Sequence, residues 1–455
     1  MVICLPFMKR RLIYGLVVVA LLLNLAIGAR IYLGSARAAG RPDALYPNLE
    51  LFADVLEKVR QEYVDGQDLT YRDLVYSSLK GMVGSLDPHS EFMDVDDYQQ
   101  LQSDTEGQFG GLGLVVSMRD NFVTVIAPME DTPGFRAGIL TGDRIIKVDG
   151  KSAEKMSLPG VVKQLRGKPG TSVTVTIQRP SSGLAKDFKL TRAIINVDMV
   201  KDINGKKEFP LSDGKIGYVR LVQFGEKTSA DLEAALKKLK AQGMQAFVLD
   251  LRGNPGGLLE QAVDVCEKFL PRGQLVVTTE GRNPSQNSER RALGRGDELH
   301  NMPMVVLVNL GSASASEIVA GCLQDLHRAI ILGERTFGKG SVQSIIPLAP
   351  LPDGVPALRL TTAKYYTPSH KVIHEEGITP DILVPLTDEQ ERQIQLRQTP
   401  GGVESLDEKD RARVVDGYDP QLERAMDLLK GIPLFTQRAA AVEKSLAKTE
   451  KMAAK

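Results

Sequence analysis

A serine and a lysine in this 455-residue chain stand beside turns, where they could act together as nucleophile and base. Ser314 opens a helix pattern shortly after the apolar strand pattern 304–308, and Lys339 lies between Gly338 and Gly340 in a later loop. A serine hydroxyl is a weak nucleophile until a base takes its proton. An ordinary lysine, with a pKa near ~10.4, is no base at neutral pH, but burial without a carboxylate partner would lower that pKa. The pair therefore indicates hydrolytic chemistry that needs no histidine.

The backbone near Ser314 could stabilise the negative charge that develops in such a reaction. N–H groups at a helix start lack partners and carry the positive end of the helix dipole, so the N–H of Ala315 is a candidate oxyanion donor. A glycine-rich turn ends another strand pattern, and its Gly256 or Gly257 is the candidate second donor. Gln343, in the strand pattern after the lysine loop, could orient the lysine or the serine.

Each of these residues also has a purely structural interpretation. Ser314 and Glu317 fit a capping box, in which the serine caps the helix and the glutamate reaches back to it. Lys339 fits a solvated loop lysine, and the glycine turn fits an ordinary strand–helix connection in which Asp250 pairs with Arg252. Because local motifs have a high false-positive rate, spacing alone leaves both interpretations open.

Motifs for nucleotide or metal chemistry are incomplete. Residues 333–339 match a P-loop through its lysine, but Gly340 stands where Ser or Thr would bind magnesium, and a strand pattern follows. His370 and His374 have no accompanying pattern of carboxylate ligands, and the three cysteines show neither metal spacing nor a disulfide framework. The sequence therefore predicts no metal site and no cofactor.

Length and charge bound the class of protein. At 455 residues the chain is too long for one ordinary core, and about three domains are expected. Lys plus Arg total 57 and Asp plus Glu total 57, so the formal net charge is zero. This balance gives no electrostatic reason to expect a nucleic-acid partner.

The first 38 residues have the pattern of a signal peptide or a membrane anchor. Lys9, Arg10 and Arg11 precede eighteen uncharged residues, Leu12–Ala29, and small residues follow up to a candidate cleavage point near Ala38. The apolar run exceeds a usual signal-peptide core and is just long enough to span a membrane, which favours an anchor. Because the basic flank should stay cytoplasmic, we expect the remaining chain to be extracytoplasmic, in the periplasm or its equivalent.

The rest of the chain divides into four regions by pattern. Residues 39–106 are helical, 107–194 are short strands and turns, 195–387 hold strands alternating with helices, and 388–455 are polar and helical. Strand–helix alternation predicts crossover connections and a buried, largely parallel sheet. The expected fold is multidomain α/β: a βαβ core with an inserted small β domain and helical segments at both ends. These helical segments could mediate self-association, so a homo-oligomer is also an expectation.

Four motifs, in their order along the chain, resemble those of the carboxyl-terminal processing (tail-specific) proteases of the S41 type. The resemblance covers roughly residues 49–386 and implies a serine endopeptidase that works through an acyl-enzyme. It implies Ser314, not its neighbours Ser312 and Ser316, as the nucleophile. The motifs are Asp250–Gly257, Gly311–Ile318, Gly333–Gln343 and Gly377–Asp381.

The resemblance also assigns the supporting residues. It implies Lys339 as the general base and Gln343 as the residue that supports it. The alternative, a scaffold that binds tails through an intact binding domain but carries an inactive hydrolase-like domain, would need no base at position 339.

The same resemblance identifies residues 107–194 as a PDZ domain. Its glycine-rich run Phe109–Leu114 can form a backbone nest that captures a C-terminal carboxylate, while the tail adds as a strand to an open sheet edge. Arg166 resembles the arginine that in relatives couples tail binding to the active site. The expected partners are therefore protein substrates with free C-terminal tails. The candidate carboxylate-binding residues are Gly110, Gly111, Leu112, Gly113 and Leu114.

Overall fold

The structure is a computed structural model, and two contact-defined units, Met1–Pro88 and His89–Lys455, divide the chain. The signal peptide or anchor expected over residues 1–38 lies outside the described residues, apart from a helical piece at 21–25. Within the part that is described, no helix combines the length and the apolar character needed to span a bilayer. The described residues are 21–25, 44–119, 121–129, 132–140, 142–154, 156–180, 183–294, 299–398, 411, 414 and 418–432.

The first unit is helical after residue 44, as the periodicity predicted. Helix α1 spans Leu45–Glu62, a short 3-10 helix spans Gly66–Asp68, and α2 spans Tyr71–Gly84. Thr70 caps α2 because its side chain accepts the N–H of Asp73 while the Asp73 carboxylate accepts the N–H of Thr70.

The second unit contains all of the strands that the structure describes, together with the helices that pack on them. The strands are β1 (Glu91–Met93), β2 (Gln108–Gly111), β3 (Leu114–Arg119), β4 (Phe122–Pro128), β5 (Arg144–Val148), β6 (Lys151–Ser152), β7 (Ser172–Gln178), β8 (Ala185–Thr191), β9 (Ala193–Asn196), β10 (Val200–Lys201), β11 (Ile216–Leu221), β12 (Ala246–Asp250), β13 (Leu275–Gly281), β14 (Ser288–Arg291), β15 (Met304–Val308), β16 (Ile330–Gly333), β17 (Ser341–Pro347), β18 (Ala357–Tyr366) and β19 (Ile382–Leu383). The helices are α3 (Val95–Glu106), α4 (Pro133–Arg136), α5 (Leu158–Leu165), α6 (Thr228–Ala241), α7 (Leu259–Glu267), α8 (Ala315–Asp325), α9 (Asp388–Arg397) and α10 (420–432).

A six-stranded sheet in the order β10-β11-β12-β15-β16-β19 forms the centre of the second unit. All neighbours from β11 to β19 pair in parallel, and β10 is antiparallel, so the predicted βαβ core is confirmed. Every residue of β12 and β15 is buried, which fits a sheet covered on both faces. Alternate strand residues pack one face against α6, α7 and α8 and the other against α10. The C-terminal helical segment therefore completes the core.

A second, antiparallel sheet, which the sequence analysis did not separate, carries the loop of Lys339. Its order is β1-β18-β13-β14, with β17 also paired to β18. β1 lies in the region that was expected to be helical, and that expectation was wrong. β14 is the sequence Ser-Glu-Arg-Arg with no buried residue, and β1 has only three residues, so neither shows a strand pattern.

The small β domain is an insertion closed by a two-stranded ribbon. Its sheet has the order β3-β4-β5-β7-β8, with β6 paired to β5, around a separate apolar core. Strands β2 and β9 pair antiparallel, so that Gln108 lies opposite Asn196 and the chain leaves the domain where it entered. Among the described strands β3 pairs with β4 alone, which leaves the outer edge of β3 open.

Candidate active site

Ser314 lies between the parallel strand β15 and helix α8, where the carboxyl ends of the strands meet. Its backbone is held at φ 56° and ψ −115°, in a region that side-chain-bearing residues rarely adopt. Such a conformation costs of order ~1–3 kcal/mol and persists only where the surroundings enforce it. The turn into α8 is therefore built to present this residue at a cost in stability.

The hydroxyl groups of the two neighbouring serines make structural hydrogen bonds to main-chain carbonyls. The Ser312 hydroxyl donates to the Leu251 carbonyl at 2.8 Å, and the Ser316 hydroxyl donates to the Asn254 carbonyl at 2.9 Å. Both serines are fully buried, whereas Ser314 is half-buried. Geometry thus separates Ser314 from its neighbours, a distinction that spacing alone did not provide.

Glu317 fixes the backbones of Ser314 and Lys339 on one carboxylate oxygen. Its Oε2 accepts the Ser314 N–H at 2.8 Å and the Lys339 N–H at 2.8 Å. Its Oε1 accepts the Gly338 N–H at 2.7 Å and the Thr336 hydroxyl at 2.6 Å. The side chain is fully buried, and burial raises the pKa of Glu317 although these four hydrogen bonds oppose the rise.

Glu317 was expected only as the reciprocal partner in a capping box. The serine–glutamate spacing in the sequence predicts its bond to the Ser314 N–H, which the structure confirms. Its bonds to the loop at 336–339 join residues about twenty positions apart, and no local pattern in the sequence indicates them.

The loop of Lys339 is tightly packed, as its two glycines indicated. Gly338 adopts φ 93°, and its carbonyl accepts the Glu375 N–H at 2.7 Å. A Cβ on Gly340 would lie 2.2 Å from the His374 backbone nitrogen, so no larger residue fits there. Lys339 itself is half-buried, as Ser314 is.

Gln343 lies on β17 and does not hydrogen-bond to the serine or the lysine. Its amide nitrogen donates to the hydroxyl of Ser341 at 2.9 Å and to that of Thr361 at 3.1 Å. Its role as the residue that supports Lys339 stays a prediction.

The glycine turn after β12 packs directly against Ser314. A Cβ on Gly256 would lie 2.7 Å from the Ser314 Cβ, and one on Gly257 would lie 2.2 Å from the Phe224 carbonyl oxygen. The Gly256 N–H donates to Asn254 Oδ1 at 2.9 Å. Within the described part of the chain, the N–H groups of Gly257 and Ala315 have no hydrogen-bond partner. Of the two candidate glycines, Gly257 is therefore the one with a free donor.

Beneath this turn a buried ion-pair network joins β12 to the segment before α10. The Arg252 guanidinium binds the Asp250 carboxylate with its closest contact at 2.6 Å and the Asp419 carboxylate at 2.9 Å. The Tyr218 hydroxyl donates to Asp250 at 2.6 Å. Burial acts to raise the pKa of Asp250, but the adjacent Arg252 holds that pKa below its usual value. The structural interpretation of the Asp250–Arg252 pair is thus confirmed.

The glycine-rich run that was predicted to bind a carboxylate lies beside the open edge of the sheet of the small β domain. Gly110 and Gly111 belong to the ribbon strand β2, and Leu114 begins β3. Between them, the Leu112 carbonyl accepts the Gly134 N–H at 2.8 Å and the Gly113 carbonyl accepts the Met129 N–H at 2.8 Å. The N–H groups of Leu112 and Gly113 themselves find no partner in the described residues. Two unpaired donors beside an open strand edge suit an extended peptide and its carboxylate.

Arg166 follows helix α5 and reaches out of the small β domain. Its guanidinium binds Asp104 of α3 at 2.9 Å and lies 4.3 Å from the centre of the Phe109 ring. The charge is thereby held against the helix that leads into the domain.

Comparison with known proteins defines the class of molecule. The peptidase family S41 model matches residues 215–384, which hold the parallel sheet, the Ser314 turn and the Lys339 loop. A PDZ domain model matches residues 124–179, within the small β domain.

Similar full-length proteins carry the assignment further. A carboxy-terminal-processing protease of Bartonella bacilliformis is 47% identical over 344 residues, which cover 74% of this chain and 75% of that protein. A carboxyl-terminal-processing protease of Synechocystis sp. is 33% identical over 384 residues, covering 80% of this chain and 87% of its own. A solved photosystem II D1 C-terminal processing protease is 29% identical with a TM-score of 0.44, covering 80% of this chain and 98% of its own. The chain therefore belongs to peptidase family S41, as a serine-type peptidase of the carboxyl-terminal processing group with a PDZ domain.

Proposed function

We propose that this peptidase uses a Ser314–Lys339 dyad and selects protein substrates by their free C-terminal tails. The observation that carries the dyad is the shared carboxylate of Glu317, whose Oε2 holds the backbone N–H of both residues at 2.8 Å. The backbone of Lys339, twenty-five positions further along the sequence, is thereby held close to the backbone of Ser314, which supports the proposed pair.

The reaction follows from the groups at the site. Neutral Lys339 takes the Ser314 proton as the serine oxygen attacks the scissile carbonyl, and the N–H groups of Ala315 and Gly257 receive the resulting oxyanion. Protonated Lys339 then gives its proton to the leaving amine, which leaves an acyl-enzyme. Lys339 then takes a proton from a water molecule as the water oxygen attacks the ester carbon, and returns that proton to the Ser314 oxygen as the ester C–O bond breaks. Gln343 would support Lys339 after exchanging its hydroxyl partners.

Tail selection is assigned to the PDZ domain. The unpaired N–H groups at Leu112 and Gly113 would bind the terminal carboxylate, and the tail would extend β3 as an added strand. Main-chain pairing supplies affinity for any extended peptide, so the free carboxylate provides the selectivity for a chain end.

For the cellular setting we propose an extracytoplasmic enzyme held at the membrane by residues 1–38. The support is the basic cluster at residues 9–11 followed by the uncharged run. Protease treatment of intact cells, before and after the outer face of the membrane is exposed, would test this placement. A chain that stays protected until the cytoplasm is opened would contradict it.

One experiment tests the catalytic and the tail-binding parts together. An unfolded protein substrate with an apolar C-terminal tail is incubated with the wild type and with Ser314→Ala, once with a free C-terminal carboxylate and once amidated. We expect cleavage by the wild type alone, about 10-fold or more slower on the amidated substrate because an anion site cannot bind a neutral amide. A folded Ser314→Ala protein that still cuts would refute the nucleophile, and equal rates on both substrates would refute carboxylate recognition.

A further inference from the structure

Two positively charged side chains lie opposite each other at the edge of the parallel sheet, outside the candidate active site. Lys201 of β10 pairs with Arg220 of β11 in antiparallel register. Their strand neighbours Val200 and Leu221 are fully buried in the core that packs on α6, α7 and α8. Because strand side chains alternate between faces, Lys201 and Arg220 both project from the other face, on which α10 packs. Opposite residues on one face have Cβ atoms ~4.5–5.5 Å apart, so these two like charges repel.

Arg220 has no counterion in contact, although a carboxylate is its neighbour on the other side. Asp250 of β12 is the register partner of Arg220. Both oxygens of Asp250 accept from the Arg252 guanidinium, at 3.0 Å and 2.6 Å, and one also accepts from the Tyr218 hydroxyl. Among the described residues, no carboxylate lies within ion-pair distance of Arg220, and its buried Nε has no hydrogen-bond partner. A buried donor without an acceptor costs free energy, which an acceptor from solution would recover.

Lys201 is in the same situation. Burial, and after it the charge of Arg220, lowers the pKa of Lys201 below its ordinary value. The charge of Asp198 opposes this shift, but that carboxylate forms an ion pair with Lys207 at 2.6 Å. Lys201 and Arg220 are both half-buried, so solvent reaches the pair. The sheet edge thus presents two adjacent cations to which an ion from solution has access.

We propose that Lys201 and Arg220 form a binding site for a tetrahedral oxyanion, phosphate or sulfate, on the face of the parallel sheet that carries α10. A guanidinium binds two oxygens of one anion as a fork, and the lysine ammonium can bind a third. A tetrahedral oxyanion has enough oxygens for both cations, whereas a carboxylate has only two. The bound ion would replace repulsion across the strand pair by attraction to a shared partner. It would thereby hold the two-residue edge strand β10 on β11.

The test compares thermal unfolding of the full chain in four sodium salts at one ionic strength and neutral pH: phosphate, sulfate, acetate and chloride. We expect about 50 mM phosphate or sulfate to raise the unfolding midpoint of wild type by about 2–4 °C over chloride, because a ligand that binds only the folded state stabilises it. Acetate should give the chloride value. An equal rise in acetate would overturn the inference, since it would show a response to anions in general.

Variants separate a specific site from the general stabilisation that phosphate and sulfate give to folded proteins. Lys201→Met keeps the apolar stem and removes the charge. In chloride it should unfold at or above the wild-type midpoint, because the repulsion from Arg220 is gone. In phosphate it should unfold below wild type, because the oxyanion has lost one of its two cations.

Lys189→Met is the matched control, since Lys189 is an exposed strand lysine on β8 of the PDZ domain. It removes the same charge and should keep the full phosphate response. Arg220→Gln provides a second variant at the site, in case Lys201→Met disturbs folding, and it should lose the response as well. A folded variant at position 201 or 220 that gains as much from phosphate as wild type would overturn the inference. So would a Lys189→Met protein that loses the phosphate response equally.

Discussion

At the scale of single residues, the site depends on one buried carboxylate that acts through backbone atoms. Glu317 accepts the backbone N–H groups of both Ser314 and Lys339. A carboxylate can do this because it only accepts and has two oxygens with several lone pairs. Its burial also removes the water that would otherwise compete for those N–H groups. The positions of the nucleophile and the base are therefore coupled to the ionisation of a third residue.

Glu317→Gln should weaken both folding and catalysis. The amide replaces one acceptor oxygen by a donor, so either the N–H groups of Ser314 and Lys339 or the N–H of Gly338 are left facing another donor. We expect the unfolding free energy to fall by ~1–3 kcal/mol and kcat to fall about 10-fold or more. Urea denaturation and steady-state kinetics measure the two losses. A variant with wild-type stability and wild-type kcat would show that the shared carboxylate is dispensable.

Because the pKa of Glu317 is raised, the difference in stability between wild type and Glu317→Gln should depend on pH. A carboxyl whose pKa is higher in the folded state binds its proton more tightly there than in the unfolded chain. The resulting stabilisation is fully present below the ordinary value of 4.5 and is lost as pH rises through the folded pKa. The stability of wild type relative to Glu317→Gln should therefore be greater near about pH 5 than near about pH 8. The opposite slope would contradict the raised pKa.

At the scale of elements, α10 is joined to the turn after β12 by Asp419, the residue that precedes the helix. Asp419 caps α10, since its Oδ1 accepts the Leu422 N–H at 3.0 Å, and the same carboxylate binds Arg252 under the glycine turn. Ala425 and Leu429 of α10 then pack on the face of the sheet opposite α8. The helix and the glycine turn after β12 thus share the buried guanidinium of Arg252.

Substitutions at Asp419 should separate what this residue contributes to stability as a helix cap from what it contributes through its ion pair with Arg252. Asn can still cap a helix but carries no charge, so Asp419→Asn should lose only the charge-assisted bonds, about 1–2 kcal/mol. Asp419→Ala should lose both contributions and be the less stable of the two. Glu423→Gln on the same helix, an exposed position, is the control with little expected change. Thermal unfolding ranks the three variants, and equal midpoints for Asn and Ala would contradict a capping role.

The elements that sequence patterns predicted are those with a buried, regular periodicity. The strands β11, β12, β15 and β16 are continuous apolar runs between helix patterns, so the parallel sheet and its order along the chain could be predicted. Strands β13 and β14 could not be placed in a sheet from the sequence, because β14 has no buried residue and is stabilised by pairing with β13, while β13 pairs with the distant strand β18.

The candidate site divides in the same way. Ser314, Lys339 and the glycine turn stand at strand ends, and local spacing identifies them. Tyr365 lies inside a strand, and its hydroxyl donates to the Lys339 carbonyl 26 positions earlier, so nothing in its own sequence neighbourhood indicates that contact. The partners of Gln343 were likewise set by the pairing of β17 with β18, which brings Thr361 beside it.

At the scale of the whole molecule, a series of direct contacts leads from the PDZ domain to the glycine turn after β12. Arg166 binds Asp104 of α3 at 2.9 Å. The next residue of that helix, Thr105, accepts the Glu226 N–H at 3.0 Å. Phe224 lies two residues before Glu226, and its N–H donates to the Gly256 carbonyl at 2.9 Å.

Arg166→Ala should therefore slow the cleavage of substrates that bind through the PDZ domain more than the cleavage of substrates that do not reach that domain. We expect about 10-fold slower processing of a protein with a free apolar tail and little change on a short peptide that does not reach the PDZ domain. Lys163→Ala is the matched control, because that lysine is 73% exposed and its nearest carboxylate, Asp97, is 3.9 Å away. Equal losses on both substrates would assign Arg166 to the stability of the fold and not to communication between domains.

The packing of α10 on the parallel sheet determines how cleavage by another copy of the enzyme would affect the stability of this protein. Under the proposed recognition of chain ends, the C-terminus of one molecule is a potential substrate for another. Loss of α10 would expose the apolar face of the sheet formed by Ile216, Val248 and Leu307. A cut within this helix would therefore destabilise the core of the molecule that is cut.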